Sequence, residues 1–350
     1  MPNRLRLNLY FGLLAKWAVA FACMFLLVAG LFTLFLGRDW LVRNQSIYEG
    51  LLYVNQPGTK SVAGMQGYGV TSYGEDGLVV NKILQDNVIR IVFWGDSFVE
   101  ARQVSDQHKF TEIVEQSWNK RHPEMRIQSL NLGLAGLDSR AYLQFGENVD
   151  ATFKPDYLFL MITNPDFYTL SYRPVALERV AAGDYTNLVR SESDFGIRHI
   201  VNDIGLQSFA SQLKLQTFAF MNEGNQRVSE TVNAKGKESR SAELQESIQL
   251  QLQALKSIWG NRLVILYRQQ VTDYGRNLEE GKTTELYKAL AASDIPYIDT
   301  YEPLQIAMRD GKPPYGFINF ALGKGHLNQV GHQLVADAVL GYLEGLEALE

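Results

Sequence analysis

Residues 90–97 read RIVFWGDS, an apolar run that ends in a glycine, an aspartate and a serine. A short run that is almost wholly apolar is typical of a strand buried inside a parallel sheet. Glycine permits a tight turn after the strand, so we expect Ser97 to project from the carboxyl edge of the sheet, close to the start of a helix. The stretch therefore predicts an α/β protein with polar groups at its strand ends.

Four further runs predict strands, and helical patterns separate them. The strands are predicted over 125–132, 157–163, 262–268 and 295–300. Helices are predicted after Ser105 and over 138–149, 211–221, 241–259 and 283–293, with a last one from Leu327. This alternation predicts a three-layer α/β/α sandwich around a five-stranded parallel sheet, with the chemistry at the carboxyl ends of the strands.

The composition excludes several classes of protein. Of the 350 residues, 46% are hydrophobic and 20% are charged, which is typical of a globular chain. There are 33 Lys and Arg against 38 Asp and Glu, a net charge of -5, so nucleic acid is not expected as a partner. One cysteine and five scattered histidines offer neither a disulfide framework nor a zinc cluster, and we expect no metal and no other cofactor.

A stretch without charge lies near the N-terminus. Residues 17–36 read WAVAFACMFLLVAGLFTLFL, between Lys16 and the first arginine that follows, Arg38. At a rise of about 1.5 Å per residue this stretch would span about 30 Å as a helix, the thickness of the hydrocarbon core of a bilayer. The alternatives are a cleaved signal peptide, which has a shorter apolar run, and a buried core helix, which keeps a polar face. We interpret the stretch as a transmembrane anchor.

The charges around this stretch and the patterns after it predict a layout. Arg4, Arg6 and Lys16 precede the stretch and favour a cytoplasmic N-terminus. We predict a cytoplasmic tail (1–16), the transmembrane anchor (17–36), an irregular lead-in (37–87) and a main domain (88–350) with an insertion (167–260), in which 223–240 is a polar loop. The expected location is a bacterial inner membrane, crossed once, with the main domain in the periplasm or otherwise outside the cytoplasm.

Three more motifs follow predicted strands or precede the last helix. The sequence NLGLAG at 131–136 follows the second strand, and its glycines allow backbone N–H groups to point into a crevice, as an oxyanion requires. Asn164 follows the third strand and offers an amide donor. The sequence GHLN at 325–328 precedes the last helix, where the imidazole of His326 can take a proton from Ser97. Each motif alone is also compatible with an ordinary turn or helix cap.

In their order and positions these four motifs resemble those of the SGNH (GDSL-type) serine hydrolases, over residues 90–340. The resemblance implies a flavodoxin-like fold and a reaction that proceeds through an acyl-enzyme. It implies that Ser97 is the nucleophile and that His326 is the general base. It also implies an oxyanion hole formed by the N–H groups of Ser97 and Gly136 together with the side-chain amide of Asn164.

The chain departs from the family pattern in two places. Many family members carry an aspartate two or three residues before the histidine, whereas lysine and glycine stand here, at 324 and 323. A main-chain carbonyl or Asp166 is then the candidate partner that orients the imidazole. The third block usually reads Gly-x-Asn-Asp, and here it reads ITNP at 162–165. Asp96 and Asn328 belong to the motifs and are further candidates for orienting or neighbouring roles.

Three functions remain open from the sequence. The first is a membrane-anchored esterase that removes O-acyl groups, such as acetyl, from an envelope or exported polysaccharide or from a small ester. The second is an O-acetyltransferase with the same residues, for which the resemblance implies a multi-pass membrane protein of acyl transfer as partner. The third is an inactive SGNH fold that serves as a scaffold or binding subunit of an envelope complex, which the missing aspartate favours. In the esterase, the insertion 167–260 would form a wall or lid.

Overall fold

The structure is a computed structural model that describes residues 2–36, 44–45, 53–55, 57–64, 66–80, 82–189, 234–268, 284–319 and 321–347. In chain order the helices are α1 (Pro2–Leu36), α2 (Ser97–Glu100), α3 (Phe110–Arg121), α4 (Ser139–Phe153), α5 (Pro165–Ser171), α6 (Pro174–Ala181), α7 (Ala234–Trp259), α8 (Glu285–Ala291), α9 (Tyr301–Arg309) and α10 (Gln329–Glu347). The strands are β1 (Asn44–Gln45), β2 (Tyr53–Val54), β3 (Lys60–Ala63), β4 (Gly69–Ser72), β5 (Ile89–Gly95), β6 (Ile127–Gly133), β7 (Tyr157–Ile162), β8 (Leu263–Tyr267) and β9 (Tyr297–Asp299).

The chain divides into two compact units, one of which holds residues 1–40. Helix α1 covers the whole of the charge-free stretch 17–36, and its side chains are described over 12–28 and at 30 and 31. Large apolar side chains of this helix are exposed, among them Trp17 at 70% and Phe21 at 68%. Among the described residues, no helix combines the length and the apolarity of a membrane span.

The other unit includes residues 41–192 and 229–350 and is built on a parallel sheet in the order β6-β5-β7-β8-β9. This confirms the predicted sheet. Every residue of β8 is buried, as are all but the first of β7, because helices cover both faces. Gly95 at the end of β5 pairs with Gly133 in β6 and with Met161 in β7. These three strands therefore end at one level, and the loops that follow them meet.

Two helical layers enclose the sheet. In one, α3 packs against α10; in the other, α7 packs against α4 and α8. Aromatic rings fill the space between sheet and helices, as in the edge-to-face contacts of Trp94 with Tyr142 and with Trp259 at centroid distances of 5.1 and 6.4 Å. Such pairs add about 1 kcal/mol each to the gain from apolar burial.

From the sequence we expected an irregular lead-in over 37–87, but its described residues form regular structure. It contains two antiparallel pairs, β1 with β2 and β3 with β4. In the second pair the buried positions include Ser61 and Thr71, while Val62 and Val70 are each 38% exposed. The usual apolar alternation of a half-buried strand is therefore inverted, which is why the sequence gives no strand signal here.

Two lysines fasten the lead-in to the main domain. The Lys109 ammonium is fully buried and donates to Thr71 Oγ1 at 2.9 Å and to the main-chain oxygen of Glu100 at 3.1 Å. Burial lowers the pKa of Lys109 to about 8. Lys82 forms ion pairs with Glu112 and Glu115 of α3 at 2.6 and 2.8 Å. The lead-in is thus part of the packed structure around the sheet.

The predicted insertion 167–260 begins and ends in helices. Helices α5 and α6, which the sequence analysis did not predict, stand at its start, and α7 stands at its end. Residues 234–240 of the predicted polar loop 223–240 belong to α7, because Ala, Lys and Glu are strong helix formers that extend the amphipathic segment toward its N-terminus. The remainder of that loop and the predicted helix 211–221 lie outside the described residues.

Candidate active site

Ser97 is the first residue of α2, immediately beyond the carboxyl end of β5. Asp96 caps this helix, and its Oδ1 accepts a hydrogen bond from Phe98 N at 2.9 Å. The cap fixes the turn that carries the serine. Asp96 has a local structural role, and the serine projects from the sheet edge as the sequence predicts.

His326 lies beside this serine, 229 residues further along the chain. The distance from His326 Nε2 to Ser97 Oγ is 2.9 Å. The main-chain oxygen of His326 accepts from Gly316 N at 2.9 Å, and the Asn328 side chain donates to the oxygens of Pro313 and Gly316 at 2.8 and 3.1 Å. Asn328 therefore pins the loop that carries the histidine.

The partner of the other ring nitrogen is Gln66, in the loop between β3 and β4. Its Oε1 lies 2.7 Å from His326 Nδ1. Because this oxygen can only accept, Nδ1 carries the hydrogen and the lone pair on Nε2 faces Ser97. Neither candidate from the sequence, a main-chain carbonyl or Asp166, takes this position: Gln66 does, and Asp166 Oδ2 accepts from Thr163.

The loop that presents Gln66 is itself clamped. The side chain of Asn319 donates from Nδ2 to the main-chain oxygens of Gly64 and Gly67, both at 2.9 Å. Its Oδ1 accepts from Gly67 N at 2.9 Å. Three hydrogen bonds from one side chain therefore hold the residues on both sides of Gln66.

The environment of His326 disfavours the charged imidazolium. Burial lowers the pKa of His326 to about 4, and the guanidinium groups of Arg268 and Arg102 act in the same direction. Gln66 is neutral and adds no opposing charge. At pH 7 the imidazole is therefore neutral and able to accept a proton, which is the state that a general base needs.

The end of β6 and the loop after it come close to α2. Two positions there require glycine, each for a different reason. A Cβ at Gly133 would lie 2.0 Å from Glu100 N, so only glycine allows the strand end to pass this close. Gly136 has a φ of +85°, and the carboxylate of Glu100 anchors the loop by accepting from Ala135 N at 3.0 Å. Among the described residues, the amides of Ser97 and Gly136 donate to no main-chain oxygen.

Asn164 does not donate into this region, unlike the expectation from the sequence. Its Nδ2 donates to Glu285 Oε2 at 3.0 Å, and its Oδ1 accepts from Leu286 N at 2.8 Å. Both ends of the amide are thus used to hold the start of α8. The proline that replaces the usual aspartate after it begins α5, with Asn164 as the preceding residue in helical conformation.

Asp166 is buried at the same sheet edge but does not contact the histidine. Its Oδ2 accepts from Thr163 N at 2.6 Å and from Thr163 Oγ1 at 3.0 Å. Burial, followed by the charge of Asp96, raises the pKa of Asp166 to about 7. It is a structural acid that closes the turn after β7.

A second histidine, His332, follows His326 by six residues in α10 and is buried. Its Nδ1 accepts from Phe110 N at 3.3 Å, and its ring stacks on that of Phe110. Burial lowers the pKa of His332 to about 3. Its role is to accept a hydrogen bond from the first main-chain N–H of α3.

Sequence reasoning missed Gln66 and Arg268. Gln66 carries no local signal, since it pairs with a residue 260 positions away. Arg268 follows β8 directly, so the rule that site residues stand at the carboxyl ends of strands could have found it. In the part of the chain that the structure describes, no group of three or more His, Cys, Asp or Glu side chains is placed to hold a metal ion.

No protein-family model and no curated protein matches the chain. It is similar to the solved structure of LAE5, an alpha/beta hydrolase enzyme from the metagenome of Lake Arreo, Spain, with 14% identity, a TM-score of 0.40 and coverage of 72% of this chain and 93% of that one. It is also similar to a catalytic mutant of Axe2, an acetylxylan esterase from Geobacillus stearothermophilus, with 15% identity, a TM-score of 0.40 and coverage of 72% and 92%. A third is a member of the lipolytic protein G-D-S-L family from Veillonella parvula, with 16% identity, a TM-score of 0.41 and coverage of 73% and 98%.

Proposed function

We propose that this chain is an SGNH-type serine hydrolase that cleaves O-acyl esters through an acyl-enzyme on Ser97. One observation carries the proposal: Ser97 Oγ lies 2.9 Å from His326 Nε2, and Gln66 Oε1 lies 2.7 Å from His326 Nδ1. A nucleophile, a base and a group that orients the base are thereby connected by hydrogen bonds. An inactive scaffold has no need of this alignment of three side chains from distant segments.

The reaction follows from these positions. Ser97 Oγ attacks the ester carbonyl carbon while its proton passes to His326 Nε2, which gives a tetrahedral oxyanion and an imidazolium. The carbon–oxygen bond of the leaving alcohol then breaks, and Nε2 returns the proton to that oxygen. Water attacks the acyl-enzyme by the same route, and the acid leaves with Ser97 regenerated.

We assign the oxyanion hole to two main-chain amides. Within the described residues, neither the N–H of Ser97 nor that of Gly136 donates to a main-chain oxygen, so both are available to an oxyanion. One such donor contributes on the order of 3 kcal/mol to stabilisation of the transition state. Asn164 is not assigned to the hole, because its amide donates to Glu285 and accepts from Leu286 at the start of α8.

Hydrolysis of p-nitrophenyl acetate by the full-length chain tests the proposal. Wild type should release p-nitrophenol, and Ser97→Ala should lower kcat/KM at least about a thousandfold. Ser117→Ala, on α3 away from the site, is the matched control. A fluorophosphonate probe should label wild type and the control but not Ser97→Ala. Equal rates in wild type and Ser97→Ala, with no labelling of either, would refute the proposed enzymatic function and favour a binding subunit.

Transfer to a sugar hydroxyl uses the same acyl-enzyme, so we propose it as the second fate of the acyl group. Product analysis with an acceptor glycan separates the two: acetate alone indicates hydrolysis, and an acetylated glycan indicates an O-acetyltransferase. Dependence of the acetylated product on a multi-pass membrane protein would identify the acyl supply expected from the family resemblance.

We further propose that residues 17–36 anchor the chain in a bacterial inner membrane with the catalytic unit outside the cytoplasm, so that the substrate is an acylated envelope or exported polysaccharide. The support is the sequence of the stretch, which has no charged residue, and its helical conformation within α1. An apolar helix with exposed Trp17 and Phe21 is favoured in lipid, since burying each such side chain gains about 2–3 kcal/mol.

Membrane fractionation of the full-length chain tests this anchor. The wild-type chain should stay with the membrane after an alkaline wash, whereas a double change of Leu26→Arg and Leu27→Arg should release it, because two charges at the bilayer centre cost several kcal/mol. Lys60→Arg, outside the stretch, is the control. Release of the wild-type chain by the wash would refute the anchor without affecting the proposed chemistry.

A further inference from the structure

A buried guanidinium lies beside the proposed catalytic pair and takes no part in the steps above. Arg268 directly follows β8, at the carboxyl edge of the sheet, and is only 4% exposed. Its guanidinium carbon lies 3.2 Å from the centre of the Phe98 ring. The same ring lies 4.9 Å, centre to centre, from the imidazole of His326. Arg268 therefore lies near the nucleophile and the base, with the Phe98 ring in contact with both the guanidinium and the imidazole.

Two of the three nitrogens of the Arg268 guanidinium lack acceptors among the described residues. Among the described residues, its Nε and Nη1 atoms have no hydrogen-bond partner, although they are buried. Burial without acceptors is unfavourable for a charged group, and the face of Phe98 compensates only part of the lost hydration. The nearby hydroxyl of Tyr315 is a weak partner, since burial raises the pKa of Tyr315 to about 12 and it carries no negative charge at neutral pH.

The negative groups in this region are committed elsewhere. Asp96 caps α2 through its contact with Phe98 N. Asp166 is engaged with Thr163, and its pKa is raised to about 7 by burial and then by Asp96, so part of its charge is lost at neutral pH. Gln66 is neutral and stands in place of an orienting carboxylate, so the charges that shift the pKa of His326 are those of Arg268 and Arg102, both positive.

We propose that Arg268 binds an anionic group, specifically a carboxylate, on the ester substrate. The inference rests on the proposed esterase function and adds the substrate class: acidic esters are selected over neutral ones. A guanidinium is suited to this role because it stays charged and offers several donors to the two oxygens of a carboxylate. The carboxylate can belong to the alcohol part, as in an O-acylated uronic acid, or to the acyl part, as in a half-ester of a dicarboxylic acid.

Matched pairs of esters that differ only in charge test the inference on the full-length chain. For the alcohol part the pair is 4-acetoxybenzoate and its methyl ester; for the acyl part it is mono-p-nitrophenyl adipate and its methyl ester. Wild type should favour the acidic member of at least one pair in kcat/KM. Arg268→Gln should lower that preference about tenfold or more, the usual effect of losing a charged hydrogen bond. Arg268→Lys, which keeps the charge, should retain part of it.

The control is Arg262, which stands at the opposite end of the same strand and pairs with Asp150 at 2.5 Å. Arg262→Gln should leave the preference unchanged. In wild type, benzoate should inhibit hydrolysis of p-nitrophenyl acetate more strongly than benzamide does, a measurement that needs no variant. No preference in wild type, or an equal loss for both members of each pair in Arg268→Gln, would overturn the inference. Ser97-dependent hydrolysis of p-nitrophenyl acetate would still stand in that case, so the two failures are distinguishable.

Discussion

Replacing Gln66 by glutamate is the sharpest perturbation of the proposed site. The change puts a carboxylate oxygen where the amide oxygen now lies, 2.7 Å from His326 Nδ1. An opposite charge at this distance raises the pKa of a histidine by about 1–3 units. Since each unit corresponds to about 1.4 kcal/mol, the imidazolium form gains roughly 1.4–4 kcal/mol.

The pH dependence of kcat/KM should report this gain directly. In wild type His326 has a pKa lowered to about 4, so the acid limb of the profile should lie near that pH. In Gln66→Glu the limb should move toward neutral pH. Above the new pKa the variant should be faster than wild type, because the carboxylate stabilises the imidazolium that forms in the transition state. Unlike the amide, it also has no N–H₂ end that could turn toward Nδ1.

Two further variants complete the test. Gln66→Ala should lower kcat, since nothing then fixes the tautomer of the ring, while Gln85→Glu adds a negative charge at an exposed position of the lead-in and should change neither limb nor rate. An acid limb that stays in place in both Gln66→Glu and Gln66→Ala, with unchanged kcat, would show that Gln66 does not contact His326 in solution.

Three other predictions concern residues around the site. Asn319→Ala should lower kcat less than Gln66→Ala does, without moving the acid limb, because it loosens the loop but leaves the amide in place; an unchanged kcat would argue against the clamp. Asn164→Ala should lower the free energy of unfolding by about 1 kcal/mol through loss of its bond to Leu286 N, and keep kcat within about tenfold; a loss of about 100-fold would restore Asn164 to the oxyanion hole. Between pH 7 and pH 5 the free energy of unfolding should fall by roughly 2 kcal/mol for each buried histidine. The folded pKa of His332, about 3, lies below its ordinary value, so the unfolded state binds the proton first as the pH falls. His332→Asn should remove the contribution of His332 to this pH dependence, as measured by urea titrations at each pH.

Much of the sheet could be predicted because its strands are buried on both faces. Runs such as YLFLMI at 157–162 have no polar positions, so their pattern is unmistakable. Ser97 and His326 could be predicted because each stands in a motif at a strand end or a helix start. These signals are local in the sequence, and the physics that produces them is local burial or a local turn.

The rest of the site depends on contacts between distant segments. Nothing around Gln66 marks it as the partner of a histidine, because its strands bury Ser61 and Thr71 and leave Val62 and Val70 partly exposed. The sequence does not show that the amide of Asn164 has an acceptor in Glu285, 121 positions away. A polar side chain often has two chemically reasonable partners, and tertiary packing decides between them. The residues nearby in sequence do not predict that packing.

The position of Gln66 has a practical consequence for anyone who divides this chain. A truncated chain that starts at 88, where the regular alternation of strands and helices begins, would retain serine 97 and the histidine and would still look complete by its motifs. It would lack the Gln66 amide, which in the proposed mechanism selects the tautomer of His326, and the Thr71 hydroxyl that accepts a hydrogen bond from the buried ammonium of Lys109. Weak turnover by such a fragment would then reflect the missing hairpin and not the chemistry of the protein.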